Sequence, residues 1–178
     1  MRRLQQGSES AISRVPLGQS RKQTEFGVNA NHATLNRDIH MTSITTVAEA
    51  FFAACETGKG WEACSAYCTP HATFSAQAEP LLDVKTLAQY ADWMKGILTV
   101  LPDGRYELKS FATDAIRNNV AAYAVFHATH TGPGGPVPPT GRHTSTDYVY
   151  VMQFEGGKID HMTKIWNAGL AMKDLGWS

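Results

Sequence analysis

Asp147, His127 and His161 are the residues whose types and placing suit proton transfer. Carbon-acid chemistry needs a base working near neutral pH and a donor for the oxyanion that develops. Asp147 is the one carboxylate on its side of the long C-terminal segments, beside Val149 and Tyr123. Burial there would tune it toward a base. His127 and His161 share that side by alternation and could donate a proton or pair with Asp147. Thr163 and Asn167 follow as donors to a ligand, and Tyr123, Tyr90, Trp93 and Trp166 as aromatic lining. The same residues also fit a structural pairing of Asp147 with a histidine or backbone amide, histidines held in a core, and ordinary aromatic packing.

The elements that position these groups are read from periodicity. Val47, Phe51, Ala54 and Cys55 recur at helical spacing, and Gly58 and Gly60 end that helix. A short second helix runs from Trp61 to about Tyr67, and 72–76 is a short strand. Asp83 is expected to cap a third helix, whose stripe is Val84, Leu87, Ala91, Met94, Leu98 and Leu101. After Gly104 the period becomes two. Strands are expected over 105–113, 120–131, 142–154 and 158–167, with Gly156-Gly157 as a hairpin turn and a short helix or turn near 169–176. Helices followed by a meander make an α+β domain: three N-terminal helices on a mostly antiparallel sheet.

Alternation sorts the sheet into two sets. One holds Tyr123, Val125, His127, Thr129, Asp147, Val149, Val151, Ile159, His161, Thr163, Ile165 and Asn167. The other holds Ala122, Ala124, Phe126, Ala128, His130, Tyr148, Tyr150, Met152, Phe154, Met162, Lys164 and Trp166. Polar groups converging in an apolar shell are the pattern of a ligand pocket, so the first set is expected on the helix-covered side. The second set, aromatic and small, then needs another cover. A homodimer through the face bearing Tyr148, Tyr150 and Met152 is expected.

Composition excludes other classes. Lys plus Arg and Asp plus Glu number 16 each, which lacks the basic excess of a nucleic-acid binder. No apolar run approaches the roughly 18 residues of a membrane helix. Cys55, Cys64 and Cys68 form no disulfide framework and, with His71, no zinc-ligand spacing, so buried thiols are expected and a metal is not. Nucleotide, P-loop, zinc-protease and serine-hydrolase motifs are missing, which leaves dinucleotide, phosphate and serine-hydrolase readings unsupported. Residues 1–41 hold six basic against three acidic residues, a net of +3, with few large apolar side chains and no signal-peptide core. They are expected to be a disordered extension to a domain at 42–178, in a cytoplasmic protein.

One stretch carries a family likeness. His130-Thr131-Gly132, then Pro138-Pro139-Thr140-Gly141-Arg142, then Gly157-Lys158-Ile159, and finally Lys164-Ile165-Trp166-Asn167 and Leu175-Gly176-Trp177 resemble the SnoaL-like polyketide cyclases, a branch of the nuclear-transport-factor-2-like cones. The resemblance implies a cone with a deep pocket, usually dimeric. It also implies cofactor-free acid–base chemistry: aldol-type ring closure, isomerisation or dehydration. The sequence departs from the family where carboxylates commonly stand near strand ends: Lys164 and Asn167 occupy that end, and Tyr150 falls where a frequent aspartate would be. Two functions follow. One is a cofactor-independent lyase, isomerase or cyclase acting on a hydrophobic carbonyl compound; the other is a non-catalytic module binding such a ligand or a protein.

Overall fold

The structure, a computed structural model, describes residues 44–178. The expectations for 1–41 lie outside the described residues. Helix α1 occupies 44–56 and turns Ile44, Ala48, Phe51, Phe52 and Cys55 inward, the spacing of one helical face. Helix α2 (Gly60–Cys64) and a 3-10 turn (Ser65–Tyr67) lead into β1 (Cys68–Ala76). Helix α3 spans Leu87–Val100. Its cap is Thr86 rather than Asp83. The Thr86 hydroxyl accepts from Gln89 N at 3.2 Å while the Gln89 carboxamide accepts from Thr86 N at 3.1 Å, a reciprocal pair that Asp83, exposed in the preceding turn, cannot make.

Strands β2 (Arg105–Asp114), β3 (Asn119–Thr129), β4 (His143–Glu155) and β5 (Lys158–Trp166) follow, and α4 (Ala168–Leu175) closes the chain. The curved, unclosed sheet has the order β1-β5-β4-β3-β2. Only β1 pairs in parallel, with β5, because α3 and the meander separate the two in the chain. The α+β cone expected from the sequence is the fold observed.

The register explains both what alternation reads correctly and what it inverts. Strands β3 and β4 pair without interruption from Asn119↔Gln153 to Thr129↔His143, so the two sets stay intact across them. In β5, Gln153 faces His161 but Phe154 faces Ile159, so Asp160 is an extra residue. That bulge moves Ile159 to the other set, where it is fully buried.

The inward set is the second one. Ala122, Ala124, Tyr148, Tyr150, Met152, Met162 and Lys164 are buried on the concave face. The alanines are the reason. A curved sheet crowds its concave side, and small residues there leave room for the rings of Phe51 and Phe52. Phe52 meets Tyr106 edge-on at 5.2 Å and Tyr150 at 5.3 Å, contacts worth about 1 kcal/mol each beyond area burial. The concave face is therefore covered by the chain's own helices. The dimer expected through Tyr148, Tyr150 and Met152 cannot form there. The convex face is the partly open one: Tyr123 is 38% exposed and Ile165 62%.

Candidate functional site

The site begins at the C-terminal turn of α1. Glu56 follows Phe52 by one helical turn, so helical geometry carries its carboxylate into the core, where it is 2% exposed. A buried carboxylate must be hydrogen-bonded. Two neighbouring inward positions of β4 supply the donors: the Tyr148 hydroxyl donates to Glu56 Oε2 at 2.7 Å and the Tyr150 hydroxyl to Oε1.

Lys164 arrives from β5 between Met162 and Trp166, opposite Tyr150 in the ladder. Its ammonium donates to the Tyr90 hydroxyl of α3 at 2.8 Å. Tyr90 in turn meets Tyr150 hydroxyl to hydroxyl. The direction of that contact is determined. Tyr150 has one proton and gives it to Glu56, so it accepts from Tyr90. A single-file chain results, with every donor pointing from Lys164 through Tyr90 and Tyr150 to Glu56.

The ammonium also lies 5.0 Å from the Tyr148 and Trp166 ring centres, 5.2 Å from Tyr90, 5.6 Å from Tyr150 and 5.9 Å from Trp93. Cation–π attraction offsets part of its lost hydration. Burial still lowers the Lys164 pKa, against the raising influence of Glu56. Burial, reinforced by the Glu56 charge, raises those of Tyr90, Tyr148 and Tyr150. The phenols thus stay protonated.

Beside this network lies a cavity of about 250 Å³. Glu56, Tyr148, Lys164, Trp93 and Trp166 form its polar and aromatic end, and Met94, Ile97, Leu101 and Phe126 its apolar wall. Pro136, Met172, Leu175 and Trp177 also line it.

The stretch that carries the family likeness builds this C-terminal side. Thr140 donates to Leu175 O and Arg142 to Lys173 O, both at 2.7 Å, so the loop satisfies the last carbonyls of α4 and sets a cation at its negative end. Gly176 closes the helix in the left-handed region at φ 75°, the conformation that favours glycine. Trp177 Nε1 donates to Nδ1 of the fully buried His130 at 2.9 Å. Gly132 is required by close approach: a Cβ there would stand 1.9 Å from Thr99 O.

The residues expected to do chemistry lie elsewhere. Asp147 is exposed on the convex face and accepts from the Tyr123 hydroxyl at 2.7 Å. His127 turns to Ser145 at 3.1 Å and to Glu107 at 3.7 Å. His161 contacts Thr73 at 2.7 Å, and Ser75 and Thr163 at 3.1 Å. Asn167 caps α4, accepting from Leu170 N at 3.1 Å, and borders a second hollow of about 300 Å³. Asp147, His127, His161, Thr163 and Tyr123 therefore do not meet in the cone. Asp147 is not buried as expected. The inference from polar convergence fails because these groups satisfy one another across strands on an open face. Of the expected lining, Trp93 and Trp166 border the cavity and Tyr90 stands behind Lys164.

Glu56, Tyr148, Tyr150 and Lys164 were missed as functional candidates. A signal existed for two of them. Glu56 continues the Ala48–Phe52 face of α1, and Lys164 interrupts an inward row of Met162 and Trp166. A charge on an apolar stripe is the sequence mark of a buried polar site.

A family model described as SnoaL-like polyketide cyclase matches residues 45–175. The chain belongs to that family. The SnoaL-like chain described here resembles several solved structures of the same fold. AclR, a hydroxylase candidate from Streptomyces galilaeus, is 23% identical with a TM-score of 0.63, over 78% of this chain and 83% of that one. A SnoaL-like polyketide cyclase candidate from Jannaschia sp. CCS1 is 16% identical with a TM-score of 0.65, over 78% and 94%. IdmH, a polyketide cyclase candidate from Streptomyces antibioticus, is 18% identical with a TM-score of 0.59, over 75% and 98%. A comparison with curated proteins finds no match. Among the described residues, no helix is long and apolar enough to cross a membrane.

Proposed function

We propose that this SnoaL-like protein binds a small hydrophobic carbonyl compound in the cone and converts it by acid–base chemistry, as an isomerase, lyase or cyclase. One observation carries the reading: a carboxylate and an ammonium, both buried, border one apolar cavity and are joined through two tyrosines. Glu56 is the base. Its two oxygens each accept one phenol, which leaves lone pairs for a substrate C–H proton. Lys164 is the electrophilic partner, placing positive charge where an enolate oxygen would develop. The aromatic end orients a flat ligand and the apolar wall excludes water.

The test joins binding to turnover. Thermal-shift screening against aromatic and polycyclic ketones finds a ligand, and Glu56→Gln is then compared with the native protein. Retained binding with a loss of turnover of at least about a hundredfold is expected for removal of a general base. Unchanged turnover would sink the assignment of Glu56. A second reading is favoured by the two phenols that already hydrogen-bond Glu56. There the network is structural and the protein a carrier, so native protein and variant bind alike and neither turns the ligand over.

The three free, buried cysteines fit a reducing compartment such as the cytoplasm.

A further inference from the structure

We propose that Lys164 is a nucleophilic amine that condenses with an aldehyde or ketone in the cavity to form a Schiff base, with Tyr90, Tyr150 and Glu56 as the route and store of its proton. This rests on the reading of the cone as a carbonyl-binding pocket, and it changes the role of the lysine from an electrostatic partner to a covalent one.

The observations are geometric. Lys164 lines the cavity but is 7% exposed, so its amine meets a ligand rather than bulk water. Among the described residues no carboxylate lies in ion-pair contact with it; Glu56 is reached through two phenols. A directly paired ammonium would stay protonated. A relayed one can pass its charge on, since each phenol receives one proton as it gives one away. Proton transfer along the chain converts the ammonium and carboxylate into a neutral amine and a neutral acid, and both phenols end as they began. Desolvation disfavours the charged pair and so favours this exchange.

The chemistry balances. The lone pair of the neutral Lys164 Nζ adds to the carbonyl carbon. The carbonyl oxygen takes one N–H proton, and a carbinolamine forms. Its hydroxyl leaves as water with the proton stored on Glu56, which itself lines the cavity. The nitrogen lone pair closes the C=N bond. The cationic iminium then stands where the ammonium stood, opposite a restored Glu56 carboxylate. Nothing is oxidised or reduced.

The experiment incubates the whole protein with naphthaldehyde and reduces with borohydride, which converts an imine into a stable secondary amine. Intact mass and peptide mapping follow. One adduct is expected, heavier by the aldehyde's mass less one oxygen, on the peptide bearing Lys164. It should form at lower pH than adducts on the exposed Lys59, Lys95 and Lys158. Lys164→Met should abolish it. Tyr90→Phe, which keeps the ring, should slow trapping about tenfold through loss of one hydrogen bond to the charged group. Because mapping is done on the native protein, a variant that folds poorly does not decide the outcome.

Naphthalenemethanol, which cannot form an imine, reports the pocket separately by quenching Trp93 and Trp166. If the alcohol binds and the aldehyde labels only exposed lysines, covalent chemistry is overturned and the pocket reading stands. If neither compound binds or labels Lys164, both fall.

Discussion

The two faces of the sheet treat their polar side chains in opposite ways. On the convex face Tyr123 meets Asp147, His127 meets Ser145, and His161 meets Thr73, as pairs across neighbouring strands with solvent access. Water competes for each contact, so each contributes little. On the concave face Glu56, Tyr148, Tyr150, Tyr90 and Lys164 form one connected network with almost no solvent. Each member there depends on the next, because an orphaned group would carry its full desolvation cost. Residue type alone does not identify a site; isolation from water does.

Breaking the concave network should have the largest effect. Glu56→Ala leaves the Lys164 ammonium buried without its counter-charge and should cost about 3–5 kcal/mol in urea unfolding. Lys164→Met should cost a comparable amount by stranding Glu56. The double change Glu56→Met with Lys164→Met removes both charges together and should recover most of the loss. Additive losses in the double variant would show that the two charges are not coupled through the tyrosines.

Stability against pH sharpens the same contrast. Lys164 has a folded pKa below its ordinary 10.5, so between those two values the unfolded chain holds more protons. Stability therefore rises with pH across that window. Above about pH 10 the sign reverses, because unfolded tyrosines ionise while buried Tyr90, Tyr148 and Tyr150 keep their protons. Lys164→Met should remove the rise and keep the fall. A native profile that declines steadily from neutral pH would contradict the buried ammonium.

A smaller effect is expected at the loop that closes the C-terminal side. Trp177→Phe loses the indole donor to His130 Nδ1 while keeping most of the ring. The buried imidazole then lacks one partner, at a cost of about 1–2 kcal/mol. Ligand affinity should fall with it, since Trp177 lines the cavity. Thermal melts and a fluorescence titration read the two together, and loss of stability with unchanged affinity would separate the loop from the pocket.

Much of the fold was legible in the sequence because it follows local periodicity: α3, the four strands of the meander and the Gly156-Gly157 turn lie within a few residues of their expected places. The capping of α3 by Thr86 was missed because Asp83 has the same chemistry three residues earlier. Alternation separated the faces of β3 and β4 correctly, but alternation has no sign. Which set faced the helices depended on the packing of Phe52 against Tyr148 and Tyr150, contacts between segments remote in the chain. The bulge at Asp160 is likewise a matter of pairing rather than sequence. Glu56, Tyr148, Tyr150 and Lys164 escaped notice because Glu56 comes from a helix remote in the chain, and only the folded cone brings it to Tyr148.

The smallest expected effect belongs to Asp147, and it bears most directly on the contrast between the faces. Its side chain is exposed, and its contact with Tyr123 is 2.7 Å on the open side of the sheet. An amide in place of the carboxylate keeps an oxygen that the phenol can reach. Asp147→Asn should therefore leave unfolding free energy within about 0.5 kcal/mol of the native value. The one local change expected is at Tyr123, whose pKa is raised chiefly by its hydrogen bond to the carboxylate. Loss of the negative charge should let Tyr123 ionise at lower pH, visible in its absorbance titration. Binding of a ligand in the cone, and any turnover of it, should be unchanged, because the β-sheet stands between Asp147 and the cavity. Turnover lost in Asp147→Asn but kept in Glu56→Gln would reverse the assignment of the two faces and put the chemistry on the convex side after all.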